Sequence, residues 1–190
     1  MTWLLLGLAG FLGLHSIAIV APDWRSRLVA RLGATRWKGL HSIASLATFA
    51  MLVHGYGQAR LQSAAVYAPE PWSRHVAFVV MLPVFPLLVA AYLPGRLRSF
   101  VGHPMLTATM LWAFAHLLAN GTLADVLLFG GFLFWAVADR VSVGRRGPAA
   151  SPARVGRIRN DAIAVVVGLV LYVAFVGWGH RAIIGVSLVG

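Results

Sequence analysis

Residues 2–21 read TWLLLGLAGFLGLHSIAIVA: no Asp, Glu, Lys or Arg interrupts them, and their only ionisable side chain is His15. A helix that crosses a bilayer needs about 20 mainly apolar residues, and this stretch supplies them. A secretory leader would carry basic residues ahead of the apolar run and a small-x-small pattern after it. Neither is present, so the run reads as a first membrane helix. Apolar windows of similar length recur at 39–59, 75–94, 104–119, 121–138 and 162–180, free of Asp, Glu, Lys and Arg except for Asp125 in 121–138. The predicted fold is therefore all-α, a polytopic bundle of about six transmembrane helices in one domain spanning residues 1–190. Asn120-Gly121, a turn dipeptide, predicts a tight hairpin between the fourth and fifth windows.

Composition agrees with that solvent. The chain is 59% hydrophobic and 11% charged, too apolar and too weakly charged for a water-soluble domain. The formal net charge of +11 could suggest a nucleic-acid partner, but the aromatic residues sit inside the apolar runs and not among the basic ones. Membrane lipids, not nucleic acid, are the expected surroundings. With no cysteine, disulfides, thiolate metal sites and thiol nucleophiles are excluded. A metal would have to use His, Met or oxygen.

The basic residues carry the topology, since cytoplasmic loops retain Lys and Arg. Segment 22–38 holds Arg25, Arg27, Arg31, Arg36 and Lys38; segment 95–102 holds Arg96 and Arg98; segment 140–160 holds Arg140, Arg145, Arg146, Arg154, Arg157 and Arg159. Only Arg60, Arg74 and Arg181 fall on the alternate side. The expected arrangement is a multi-pass protein of a bacterial inner membrane with both termini periplasmic. Gly144 to Pro152, rich in Gly, Pro, Ala and Arg, reads as a linker lying against anionic headgroups.

Ionisable side chains within spans are costly, which makes each a candidate functional residue. The seven histidines divide into two layers. His15, His41 and His103 fall in the cytoplasmic half; His54, His75, His116 and His180 fall toward the exterior. In the inner layer Gly13-Leu14-His15-Ser16-Ile17-Ala18 repeats as Gly39-Leu40-His41-Ser42-Ile43-Ala44, which brings two imidazoles to similar depth on antiparallel helices. His103 opens the fourth span, with Pro104 in the first turn, where a missing N–H costs nothing. His103 and His116 lie about 20 Å apart at about 1.5 Å per residue and cannot hold one metal. The outer layer of His54, His116 and His180 leaves room for a second metal. His41, Ser45, Thr48 and Gly55 form one small, polar stripe expected to face the bundle interior, for packing alone or for function. Thr109, Trp112, His116 and Asn120 share a face, on which His116 and Asn120 could bond across the bundle or contact a cofactor. An interfacial polar tip is the plain alternative for histidines near helix ends, above all His54, His75 and His180. No Ser–His–Asp triad, phosphate loop or helical His-Glu-x-x-His site occurs.

From His103-Pro104-Met105-Leu106 through Leu111-Trp112-Ala113-Phe114-Ala115-His116-Leu117-Leu118-Ala119-Asn120-Gly121, the chain resembles the NnrU family of bacterial membrane proteins. The likeness takes in His15-Ser16, Phe129-Gly130-Gly131-Phe132-Leu133, Trp135-Ala136-Val137, and His180 with Ile184-Gly185-Val186. It implies a link to denitrification, without an agreed biochemical activity. That family is similar in turn to plant 15-cis-zeta-carotene isomerase, a membrane protein that binds haem b. The resemblance implies axial ligands at His15 and His103, with His15 and His41 as the second choice. The isomerase's redox-linked cysteine has no counterpart here. Three functions stay open: a b-type haem protein acting as redox partner or nitric oxide sensor, exchanging electrons with quinone or a respiratory reductase; a haem-dependent isomerase of a lipophilic polyene; and a cofactor-free scaffold or assembly factor for a reductase.

Overall fold

A computed structural model describes residues 1–145 and 156–188. The chain is an all-α membrane helical bundle. Among the described residues the only extended pairing is one bridge, Ala65 to Thr122. Of the linker expected at Gly144 to Pro152, residues 146–152 lie outside the described residues, as does Arg154.

Helix α1, Thr2–Val20, ends where Pro22 disfavours helical backbone at Ala21. Segment 22–38, expected as a basic connection, instead holds a helix, α2, Pro22–Leu32. Pro22 occupies its first turn, Asp23 suits its positive N-terminal end and Arg31 its last turn. Gly33, at φ 82, then turns the chain into α3, Ala34–Ala59. The window at 75–94 is broken: α4, Ser73–Met81, stops before Pro83, and α5 runs Val84–Ala90. Pro83 lacks the N–H that would continue the ladder, and its ring crowds the preceding turn. A short α6, Arg96–Val101, leads to α7, Pro104–Ala119, with Pro104 in the first turn as expected. Asn120-Gly121 makes the tight turn into α8, Leu123–Arg145. After α9, Ile158–Ala174, the helix widens to a π turn at Phe175–Gly179, which contains Gly177 and Gly179, and closes with α10, His180–Ile184.

Among the described residues four stretches are long and apolar enough to cross a membrane: Thr2–Val20, Ser73–Ala90, Leu123–Arg145 and Ile158–Ile184. Pro104–Ala119 is apolar but shorter. Helix α3 has the length, but His41, Ser42, Ser45, Thr48, His54 and Gln58 dilute its apolarity. Its Leu40, Ile43, Leu46 and Val53 nevertheless point outward, as side chains bathed in lipid do.

The helices pack in a row, α3 on α1, α1 on α8, α8 on α7, α7 on the α4–α5 pair, and α5 on α9. Small residues set the closest approaches, as expected where lipid removes the hydrophobic drive between helices. A Cβ on Gly55 would lie 2.3 Å from the Leu4 nitrogen, and one on Gly168 2.3 Å from the Pro86 nitrogen. The main apolar cluster joins Leu4, Leu52, Leu128, Phe129 and Phe132; a second joins Val84, Leu87 and Ala108, and Trp112 packs on both.

The two charge layers are separated in space. At one end Arg60 donates to the Ile184 carbonyl at 2.9 Å and Arg74 donates to that of Leu188, gathering the C-terminal turn. At the other end the Asp161 carboxylate accepts from the backbone N–H of Arg96 (3.0 Å) and Leu97 (2.9 Å), capping α6 from α9. Asn160 adds a bond to the Pro94 carbonyl at 2.9 Å.

Candidate functional site: two imidazole layers

His15 lies on the inward side of α1, half-buried. Its Nδ1–H donates to the Phe11 carbonyl at 2.8 Å. A carbonyl only accepts, so this bond places the proton on Nδ1 and leaves the Nε2 lone pair free in the neutral ring. The repeated hexapeptide brings His41 of α3 against it, ring centroids 5.3 Å apart and nearly perpendicular. His41 is held more loosely, by a 3.4 Å contact with the Ser45 hydroxyl. Phe11 lies 4.3 Å from the His15 ring, and Trp135 of α8 stands edge-on at 6.0 Å. The Trp135 indole N–H is buried without a hydrogen-bond partner among the described residues.

His103 is the N-cap residue of α7, and its side chain makes no capping bond. Helix α8 packs on both α1 and α7, and among the described residues no Cα atom of α1 lies within 8 Å of one of α7. The fold brings the His15 and His41 rings into contact, and no ring contact joins His15 to His103 among the described residues. Two clefts open at this basic end. One, of about 540 Å³, is lined by Ile19, Pro22, Ala138, Val141, Ser142 and Arg145. The other, of about 620 Å³, lies between α2 and α3 and reaches His41.

The second layer is built around His116. Its Nδ1–H donates to the Trp112 carbonyl at 2.8 Å, and its ring stacks on Phe129 at 4.5 Å with Trp112 at 5.1 Å. Asn120 does not bond across the bundle: its amide donates to the His116 carbonyl at 2.9 Å, on its own helix. The reason is local, since α7 ends at Ala119 and leaves the last carbonyls without helical donors. Thr109 likewise donates back to Met105 at 3.0 Å. The stripe on α3 does face inward, with Thr48 and Gly55 packed on Gly10 and Leu4 of α1.

Sequence reasoning missed the buried carboxylate beside this layer. Asp125, 5% exposed, accepts from the Tyr56 hydroxyl at 2.6 Å, the Thr122 hydroxyl at 2.7 Å and the Thr122 N–H at 3.0 Å. Thr122-x-x-Asp125 is a capping box at the start of α8, and that spacing was the available signal. Tyr56 then ties α8 to α3. Outside the spans, Tyr67 donates to the Leu117 and Asn120 carbonyls, the latter at 2.7 Å. Burial, with the Asp125 charge, pushes its hydroxyl above the usual tyrosine range. His54 and His75 are exposed, and His180 donates to the Val186 carbonyl at 2.8 Å. Among the described residues no three His, Asp or Glu side chains converge as a metal site.

A family model described as "NnrU protein" matches residues 3–188, and the chain belongs to that family. No curated protein and no solved structure matches it.

Proposed function

We propose that this NnrU-family chain is an integral membrane b-type haem protein of nitrogen-oxide metabolism, with His15 as the anchoring iron ligand and His41 as its partner. The observation that carries the reading is that His15, its Nδ1–H bonded to the Phe11 carbonyl, has a second imidazole, His41, against it. Metal-ligating histidines commonly donate their second ring N–H to a carbonyl, which fixes the tautomer and aims the other nitrogen. The surroundings fit the group in chemistry. A second imidazole lies beside His15, ring centroids 5.3 Å apart, and must swing away to admit a metal between the two rings; the buried Trp135 N–H lacks a partner among the described residues. The pair is edge-on, not coaxial, and the loosely held His41 is the ring free to turn.

When bound, haem would supply one-electron chemistry or a gas-binding iron. The chain's own residues set what surrounds it: Phe11 and Trp135 pack against the His15 ring, and Nδ1–H bonding raises the basicity of its Nε2. Such a protein would act as a redox partner of quinone or a respiratory reductase, or as a nitric oxide sensor, in a bacterial inner membrane with both termini periplasmic. Neither cleft enters the middle of the bundle, where a polyene would lie, so the isomerase reading gains nothing from them.

The test is the absorbance spectrum of detergent-purified protein from haem-replete cells, oxidised and then dithionite-reduced. A Soret band with sharp reduced α and β bands is expected, lost in His15→Ala. His41→Ala should weaken it more than His103→Ala does; the reverse order would favour the His15 and His103 pair of the family resemblance. A flat visible spectrum after haem addition would remove the reading.

A further inference from the structure

The cleft between α2 and α3 has its own chemistry. Arg25, Ser26, Val29 and Ala30 line it from α2, and Ala34, Trp37, Lys38, His41 and Ser42 from α3. It holds about 620 Å³ and presents two cations with no carboxylate among its lining residues. Ser26 spends its proton on the Pro22 carbonyl at 2.9 Å; Ser42 adds a further hydroxyl. The other side is apolar, from Val29, Ala30, Ala34 and the Trp37 ring. The cleft therefore suits a compact anion attached to something greasy.

Its place in the fold says what that is. α2 follows directly on the apolar α1 and precedes α3, so the cleft sits at a membrane surface. We propose that this cleft binds the phosphate headgroup of an anionic phospholipid, with the glycerol and the start of the acyl chains against the Val29, Ala30, Ala34 and Trp37 wall. Arg25 and Lys38 meet the phosphate charge, Ser42 donates to a phosphate oxygen, and Trp37 sits at the glycerol level where indoles prefer the interface. Basic pockets between helices at the cytoplasmic face are suited to such headgroups. A free phosphate would use the same cations but leave the apolar wall unused. This inference does not rest on the haem reading.

Native mass spectrometry of the full chain in detergent tests it, with phosphatidylglycerol against phosphatidylcholine of the same chain length. Retention of phosphatidylglycerol alone is expected. Arg25→Gln with Lys38→Gln should weaken it about thirtyfold, the loss anticipated for two basic residues near an anionic headgroup. Arg27→Gln with Arg36→Gln removes equal charge outside the cleft and should change it little. Val29→Trp fills the cleft, keeps every charge and should also lose the lipid, which decides the matter if the double Gln variant fails to fold. Equal retention of both lipids, equal losses in the two double variants, binding that survives Val29→Trp, or displacement by inorganic phosphate at equal concentration would each overturn the proposal.

Discussion

Replacing Gly55 by Ala tests the seam that holds His15 and His41 at one level. The new Cβ would lie 2.3 Å from the Leu4 nitrogen and 2.4 Å from the Trp3 carbonyl carbon, both backbone atoms of α1. Ordinary contact begins near 3.4 Å, so the two helices must part by about 1.1 Å. Backbone cannot rotate out of the way as a side chain can. Overpacking of this kind costs about 1–3 kcal/mol, while Ala regains up to about 1 kcal/mol of helix propensity over Gly. The net loss should be about 1–2 kcal/mol, lowering Tm by about 2–8 °C for a chain of this length. Gly13→Ala is the matched control on α1, because a Cβ there meets nothing within 4 Å. It should leave Tm unchanged or raise it. The assay is tryptophan fluorescence of the detergent-purified protein on heating. If both substitutions moved Tm alike, the close approach of α1 to α3 would be wrong, and with it the meeting of the two imidazoles.

Other consequences can be checked separately. Tyr56→Phe should lose about 1.5–3 kcal/mol, as for a hydrogen bond to a charged group, and a double-mutant cycle with Asp125→Asn should show strong coupling; additive effects would contradict a shared bond. Asp161→Ala frees the N–H groups of Arg96 and Leu97 and should cost about 1–2 kcal/mol, seen as faster proteolysis within residues 94–101; unaltered cleavage would argue against the cap. Tyr67 is raised in the folded protein, so its contribution is present below the ordinary tyrosine range and fades as pH rises through the elevated value. Alkaline melting curves should show that loss and Tyr67→Phe should lack it. A reporter fused after residue 190 should be active in the periplasm, and cytoplasmic activity would reverse the proposed orientation.

The apolar windows, the Pro104 start and the Asn120-Gly121 turn were legible because each depends on local sequence. So was the equal depth of His15 and His41, which the repeated hexapeptide encodes. Helix α2 was not, because its basic residues read as a topology signal while its apolar positions Leu28, Val29 and Leu32 are few. The break at Pro83 was hidden by the continuous apolarity of 75–94. Lateral order was invisible for a deeper reason: hydropathy gives depth along the membrane normal and nothing about neighbours. Hence the sequence could set His15 and His103 at one depth without showing that α8 packs on both of their helices. Tyr56 and Asp125 are 69 residues apart, and only the capping box hinted that the carboxylate had a task.

His15 and His116 share one local device, Nδ1–H bonded to the carbonyl four residues back at 2.8 Å. Both imidazoles are thereby aimed before any ligand arrives, and both lie on one chain of rings. His116 meets Trp112 at 5.1 Å, Trp112 meets Phe132 at 5.4 Å, Phe132 meets Phe11 at 5.8 Å, and Phe11 meets His15 at 4.3 Å. What differs is the company at each end. His116 is stacked on Phe129, so the face of its ring is covered by an apolar neighbour, and no second imidazole is in ring contact with it among the described residues. His15 has His41 against it, nearby a tryptophan N–H without a partner among the described residues, and a cationic cleft beyond. The same backbone bond thus fits a packed core histidine at one layer and a ligand at the other, and the neighbours decide between them. This places the iron at the basic end of the bundle in the proposed reading, and leaves the Asp125 network to bind α3 to α8.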